Sequence, residues 1–201
     1  MTFDLTIDIS ETDQWQEDQE DFGVAYFHGS NSTCLASVAK YGLLTMKQLN
    51  KKGILLNSGE RGYTLHDLNQ PISNGVSLYS SSRYYMCKHY ATKGCNDHIY
   101  PVVYGISNDM IELKKKVYEH PLTIGSINVD SILAVYVPES FVATAKQDLQ
   151  LAGFSKLVEV SAFPGLEKAY CDHLAQNKSQ SFLFYSNEET SPLKSWPCAF
   201  L

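Results

Sequence analysis

The sequence predicts a mixed domain, α/β or α+β, because short aromatic or β-branched runs alternate along it with short helical patterns. Its 201 residues, 44% of them hydrophobic, suffice for one sizeable core. Neither an internal repeat nor a low-complexity tract interrupts the pattern. We therefore expect an acidic N-terminal segment, residues 1–21, followed by a single domain, residues 22–201.

The first segment is strongly acidic. Eight Asp and Glu residues precede the first basic residue, Lys40, so the rest of the chain is close to neutral although the formal net charge is -6. We interpret the segment as a solvated terminus, with a targeting or self-covering role as the alternative. Residues 3–9 nevertheless alternate apolar and polar side chains, as a half-buried strand does.

The next unit is a strand followed by a helix. Residues 24–27 are rich in aromatics and predict a strand that ends at His28-Gly29-Ser30. Asn31 or Ser32 suits the cap of a helix, and Gly42 suits its end. Residues 45–75 predict a long loop with one short helix, of the kind that often forms a binding loop.

The remaining elements follow from the same signals. The spacing of apolar side chains predicts strands at 76–79, 99–106, 131–137 and 182–185, and helices at 83–91, 140–151 and 165–175.

Several function classes are excluded or disfavoured by what the chain lacks. Its apolar runs are too short for a membrane span, and it has no secretory signal. Five cysteines without CxxC spacing favour reduced thiols and argue against a metal site. Cys87 and His89 would not face each other on a helix, so a Cys-His nucleophile pair is disfavoured. The lysine run at 114–116 is more typical of a solvated helix face than of a nucleic-acid site.

One ordered set of residues is more specific. His28-Gly29-Ser30 at a strand end is followed by Tyr79, and Tyr90 lies eleven residues later on a predicted helix. This order resembles the diphtheria-toxin and poly-ADP-ribose-polymerase class of ADP-ribosyltransferases. A third element of that class is a glutamate at the start of a later strand. Asp130 occupies the analogous place here, and Asn128 stands where arginine-modifying relatives carry a second glutamate.

The resemblance implies an α+β fold of two packed, mostly antiparallel sheets with flanking helices. It implies NAD as co-substrate, without a metal, and mono-ADP-ribosyl transfer to a macromolecular acceptor, a protein rather than a nucleic acid. Domains of this kind occur in bacterial toxins and effectors, so both a cytoplasmic protein and one exported into a host cell without a signal peptide are expected. The alternatives are a non-catalytic NAD or ADP-ribose reader and a protein-interaction domain.

The chemistry of the residues assigns each a role. His28 and Ser30 are suited to bind ribose hydroxyls, and the backbone of Gly29 to bind the nicotinamide carboxamide. Tyr79 and Tyr90 would sandwich the nicotinamide ring in one cleft shared with His28. Asp130, or Glu139 in its place, would stabilise the oxocarbenium-like cation that develops at the ribose carbon.

Overall fold

The computed structural model describes residues 23–54, 71–80, 84–107, 113–114, 122–123, 125–154, 158–163 and 165–187. They form an α+β structure, a mixed sheet with helices on both faces. The expected strand at 3–9, the acidic segment as a whole and most of the lysine run at 114–116 lie outside the described residues.

The described part of the chain contains six strands and five α-helices. The strands are β1 (Val24–Asn31), β2 (Pro101–Ser107), β3 (Leu113–Lys114), β4 (Leu122–Thr123), β5 (Ile132–Val137) and β6 (Glu159–Ala162). The helices are α1 (Leu35–Tyr41), α2 (Met46–Lys51), α3 (Tyr84–Thr92), α4 (Val142–Leu151) and α5 (Leu166–Asn187).

Four strands form the main sheet in the order β1-β2-β5-β6. β2 pairs antiparallel with both β1 and β5, whereas β6 pairs parallel with β5. In the register across the sheet, His28 lies opposite Tyr104, and Tyr104 lies opposite Val135. The resemblance implied two packed sheets. The described residues show this one sheet and, apart from it, the two-residue ladder of β3 and β4.

The two faces of the sheet carry separate hydrophobic clusters. The face that we call the α1 face packs side chains such as Tyr104 and Val135 against α1 and α4. The opposite face, the α3 face, packs Phe27, Val103 and Tyr136 against α3 and the start of α5. Because successive side chains of a strand alternate between faces, neighbouring residues of β1 belong to different clusters.

The signals that the sequence offers for the two ends of the first helix are confirmed, whereas the helix predicted at 165–175 extends to Asn187. The Asn31 side-chain oxygen accepts a hydrogen bond from the Thr33 N–H at 3.2 Å and so caps the 3-10 turn that leads into α1. Gly42 ends α1 at φ 71°, where a side chain would meet the backbone of Ile127 and Val129. The short helix expected within 45–75 is α2, which begins with a capping box between Thr45 and Gln48.

Three strand predictions need correction. β1 does not end before His28-Gly29-Ser30 but continues through them to Asn31, because all three pair with residues 102–104 of β2. Residues 182–185 are helical, since no Gly or Pro interrupts the chain between Gly165 and the end of α5. The short strand β6 was not expected. Residues 76–79 form isolated bridges in place of a continuous strand, and one of these joins Tyr79 to Phe27 of β1.

Candidate functional site

Tyr79 is fixed at the outer edge of β1. The Phe27 N–H donates to the Tyr79 carbonyl at 2.8 Å, and the Tyr79 N–H donates to the Phe27 carbonyl at 2.9 Å. Such a doubly bonded antiparallel pair places both side chains on the same face of the sheet. Phe27 and Tyr79 accordingly both belong to the hydrophobic cluster of the α3 face.

Tyr90 reaches the same place from α3. Its ring stacks on that of Tyr79 with the centroids 5.9 Å apart and an interplanar angle of 22°. Tyr79 is only 6% exposed, whereas Tyr90 is 41% exposed. The eleven-residue spacing in the sequence therefore brings the two phenols together, with one as the buried wall of the stack and the other as the exposed wall.

The aromatic slot is closed in this structure. A planar ring between the two tyrosines would need two stacking contacts of about 3.5 Å each, or about 7 Å in all. The observed centroid distance of 5.9 Å is about 1 Å too short for that. Because Tyr90 is the exposed partner, outward movement of its side chain is the change that would admit a ring.

Gly29 lies beside this stack, where it allows α3 to pack closely on β1 and directs its backbone groups to the outer edge of the sheet. A Cβ at this position would be 3.0 Å from the Ala91 nitrogen and closer still to the Cys87 carbonyl oxygen, so only glycine allows α3 to approach β1 this closely. Since Phe27 directs its backbone groups to the outer edge of β1, Gly29, two residues later, directs its N–H and C=O to the same edge. Among the described residues, no hydrogen bond occupies either group there. The two form a donor and acceptor pair for which the described residues provide no partner.

His28 has its side chain on the other face. It lies opposite Tyr104, which belongs to the cluster of the α1 face, and Ser30 follows it on that side. The His28 Nδ1 lies 2.9 Å from the Ser77 carbonyl oxygen, which can only accept, so the proton is on Nδ1 and Nε2 is left as an acceptor. Burial lowers the pKa of His28, with the bond to Ser77 acting in the opposite direction.

The sequence predicts one cleft shared by His28, Tyr79 and Tyr90, and the structure brings together the two tyrosines but not the histidine side chain. Tyr79 and Tyr90 lie on the α3 face of the sheet. His28 belongs to the same edge strand, β1, but its side chain lies on the α1 face. Position in the ladder is the reason, because residues 27 and 28 of a regular strand must point in opposite directions. A ligand that touched all three would have to cross the edge of β1 between Phe27 and Gly29.

The expected carboxylates lie farther away. Asp130 is exposed in the 3-10 turn before β5, where its N–H donates to the Asn128 side-chain oxygen at 3.3 Å. Ile132, the first residue of β5, is level with Tyr26 in the sheet, so Asp130 lies about 11 Å along the strands and about 10 Å across them from His28. Glu139 follows the opposite end of β5, which places it nearer to Gly29 along the strand direction but also two strands across.

Two basic residues adjoin the exposed ring of Tyr90. The Lys93 Nζ lies 4.4 Å from the ring centroid, and the His89 ring meets Tyr90 edge-on at 5.5 Å. Partial burial lowers the pKa of His89, and the charges of Lys93 and His173 lower it further. Sequence reasoning missed Lys93, although its position three residues after Tyr90 is the signal that could have found it.

No helix in the described part of the chain combines the length and apolar composition that a membrane span requires. The described residues also contain no group of three or more His, Cys, Asp and Glu side chains that could hold a metal ion. A comparison with models of known protein families finds none that matches this chain, and a search of curated proteins finds no match either.

Proposed function

We propose that the protein has an ADP-ribosyltransferase-like fold, binds NAD at the outer edge of β1 and transfers ADP-ribose to a macromolecular acceptor, a protein. The observation that carries this proposal is the contact of Tyr79 with Tyr90 beside the backbone groups of Gly29. An aromatic stack next to one N–H and one C=O that have no hydrogen-bond partner among the described residues is complementary to nicotinamide, a planar ring with a carboxamide.

The proposed binding mode assigns one part of NAD to each group. The carboxamide NH2 donates to the Gly29 carbonyl, and its oxygen accepts from the Gly29 N–H. The nicotinamide ring enters between the tyrosines when Tyr90 moves outward by about 1 Å, each stacking contact adding about 1 kcal/mol to simple burial. The dinucleotide then crosses the edge, so that ribose hydroxyls reach His28 Nε2 and Ser30 on the α1 face.

The pyrophosphate is assigned to the basic side of the stack. Lys93 and His89 adjoin the exposed face and edge of Tyr90. In this binding mode the Lys93 ammonium leaves the Tyr90 ring and pairs with a phosphate oxygen, a stronger interaction than a cation-π contact at an exposed site.

The transfer itself would break the bond between the ribose C1′ and the nicotinamide nitrogen. The bonding electrons leave with nicotinamide, an oxocarbenium-like cation develops at C1′, and a nucleophilic atom of the acceptor forms the new bond there and loses its proton. A carboxylate near C1′ lowers this barrier. The resemblance implies Asp130 as this carboxylate, and Glu139 is the alternative.

A second candidate function is binding of NAD or ADP-ribose without transfer. The position of Asp130 favours it, because the sheet register separates this carboxylate from His28 by two strands and about 11 Å along them. A misplacement of about 1 Å can already cost a hundredfold in rate. A protein-interaction domain without NAD binding is the third reading of the same fold.

Calorimetry with NAD, followed by an assay of nicotinamide release, distinguishes the transferase, the non-catalytic reader and the protein-interaction domain. We expect wild type to bind NAD and to release nicotinamide, and we expect His28→Ala, Tyr79→Ala and Tyr90→Ala each to weaken binding at least tenfold. Tyr41→Ala removes another exposed tyrosine from a different surface and is the matched control. Absence of NAD binding in wild type would refute both NAD functions.

The Asp130→Ala variant then distinguishes enzyme from reader. If NAD binds but wild type releases nicotinamide no faster than Asp130→Ala and Glu139→Ala do, the reader is correct and the transferase is not. If release falls only in Glu139→Ala, Glu139 and not Asp130 is the catalytic carboxylate. Incubation of the protein with labelled NAD and a cell lysate, followed by mass spectrometry, would identify the acceptor.

A further inference from the structure

A second surface of the molecule carries a concentrated positive charge. Residues 23–54 contain four lysines and neither Asp nor Glu. Together with Tyr41 they make what we call the lysine surface, formed by α1, α2 and the turn that follows α2. All five side chains are exposed: Tyr41, Lys40, Lys47, Lys51 and Lys52.

Two of the lysines converge on one tyrosine. The Nζ of Lys52 lies 4.3 Å, and that of Lys40 5.0 Å, from the centroid of the Tyr41 ring. Lys47 and Lys51 are four residues apart on α2 and so share a side of that helix, where like charges repel each other. Exposed like charges of this kind are hydrated and repel each other only weakly in water, and a nearby anion would interact favourably with several of them at once.

In the part of the chain that the structure describes, the elements that pack against α1 carry few carboxylates. Two of those that pack against α1 are the turn Val129–Ser131, which carries Asp130, and α4, which carries Asp148. Asp148 already accepts the hydrogen bond of Tyr100 at 2.7 Å. The lysine surface is therefore suited to a ligand that carries several negative charges.

We propose that the ligand of the lysine surface is the acidic N-terminal segment of the same chain, residues 1–21. The segment carries eight Asp and Glu residues and no Lys or Arg, so its charge is complementary to the surface. It also carries Trp15, an aromatic side chain that can pack on the exposed Tyr41 and the lysine side-chain stems.

The acidic segment joins the folded part of the chain near the lysine surface. The segment joins the described structure at Gly23, where a Cβ would lie 3.9 Å from the Leu133 side chain. Gly42, next to Tyr41, packs against the backbone of Val129. Val129 and Leu133 are four positions apart in the chain, at most about 13 Å, whereas 21 extended residues span up to about 70 Å. The segment therefore reaches the lysine surface easily, and its attachment gives it an effective concentration in the millimolar range.

The two tryptophans of the chain make the test direct. In a full-length Trp196→Phe parent, Trp15 is the only tryptophan, so its fluorescence anisotropy and its quenching by acrylamide report on the acidic segment alone. We expect restricted motion and protection from quenching at low salt. Both should be lost as NaCl is raised to about 1 M, where the Debye length falls to about 3 Å.

Paired charge variants locate the contact. Lys40→Gln/Lys52→Gln in the Trp196→Phe parent should lower the anisotropy and raise the quenching, as should Glu17→Gln/Asp18→Asn within the segment. Lys146→Gln/Lys168→Gln removes two exposed lysines from α4 and α5, and with the same change of net charge it should leave both signals as in the parent. Circular dichroism confirms that each variant is folded.

Two results would overturn the proposal. In the first, the signals of Trp15 are the same in the lysine-surface variant, the control variant and high salt. In the second, Trp15 is unrestrained in the parent while a single-stranded oligonucleotide binds in a manner that depends on Lys40 and Lys52, which would assign the surface to nucleic acid.

Discussion

The close packing of α3 on Gly29 predicts that Gly29→Ala will destabilise the protein. The added methyl group would lie 3.0 Å from the Ala91 nitrogen and nearer still to the Cys87 carbonyl oxygen. A carbon atom in ordinary contact needs about 3.5 Å, so α3 must retreat from β1 by at least about 0.5 Å. Overpacking of this kind costs about 1–3 kcal/mol. In a protein of this size each kcal/mol lowers the Tm by roughly 2–4 °C, so we expect a fall of about 2–12 °C.

Thermal unfolding followed by circular dichroism measures the effect, with Ser30→Ala as the control because it adds no atoms to the same strand. Gly29→Ala/Ala91→Gly should not recover the lost stability, since the nearest contact of the new methyl group is a backbone carbonyl that the second substitution retains. A Tm for Gly29→Ala within about 1 °C of that of Ser30→Ala would refute the close-approach argument.

Three further predictions concern single side chains. Because burial lowers the pKa of His28, folding disfavours protonation of this side chain. The contribution of His28 to stability should be intact above about pH 6.5 and should decrease as the pH falls below that value. In urea unfolding measured as a function of pH, His28→Gln should remove this decrease. Burial raises the pKa of the Cys95 thiol to about 12, so iodoacetamide at pH 8 should alkylate the exposed Cys171 and leave Cys95 unmodified. Mass spectrometry measures the alkylation of each cysteine, and equal labelling of the two would contradict the prediction. Tyr100→Phe removes the bond to the partly exposed Asp148 carboxylate and should lower the free energy of unfolding by about 1–2 kcal/mol, whereas an unchanged denaturation midpoint would show the bond to be dispensable.

The sequence was informative wherever a local signal agreed with the surrounding fold. Asn31 and Gly42 bound the first helix as their backbone preferences predict. The helix at Tyr84–Thr92 brings Tyr90 onto Tyr79, as the eleven-residue spacing suggested. These features depend on residues close in sequence or on the period of a single helix, which a sequence displays directly.

Features that depend on long-range pairing were not predictable in the same way. The register that places His28 on the opposite face from Tyr79 is set by strand pairing with residues far along the chain. The same register decides how far Asp130 lies from the edge of β1. The helical state of residues 182–185 was missed for a related reason, since an aromatic run has the same composition whether it extends a helix or starts a strand.

The connectivity of β1 has a consequence for how the molecule assembles. The bond from His28 to Ser77 spans 49 residues, the contact of the Asn31 amide with Lys93 spans 62, and the pairing of Val24 with Ser107 spans more. Each of these contacts requires a long loop to close before any stabilisation is gained. Folding should accordingly be limited by topology, in the millisecond-to-second range of proteins rich in non-local contacts. A newly made chain would lack the edge beside Gly29 until about half of its length, through Ser107, had been synthesised.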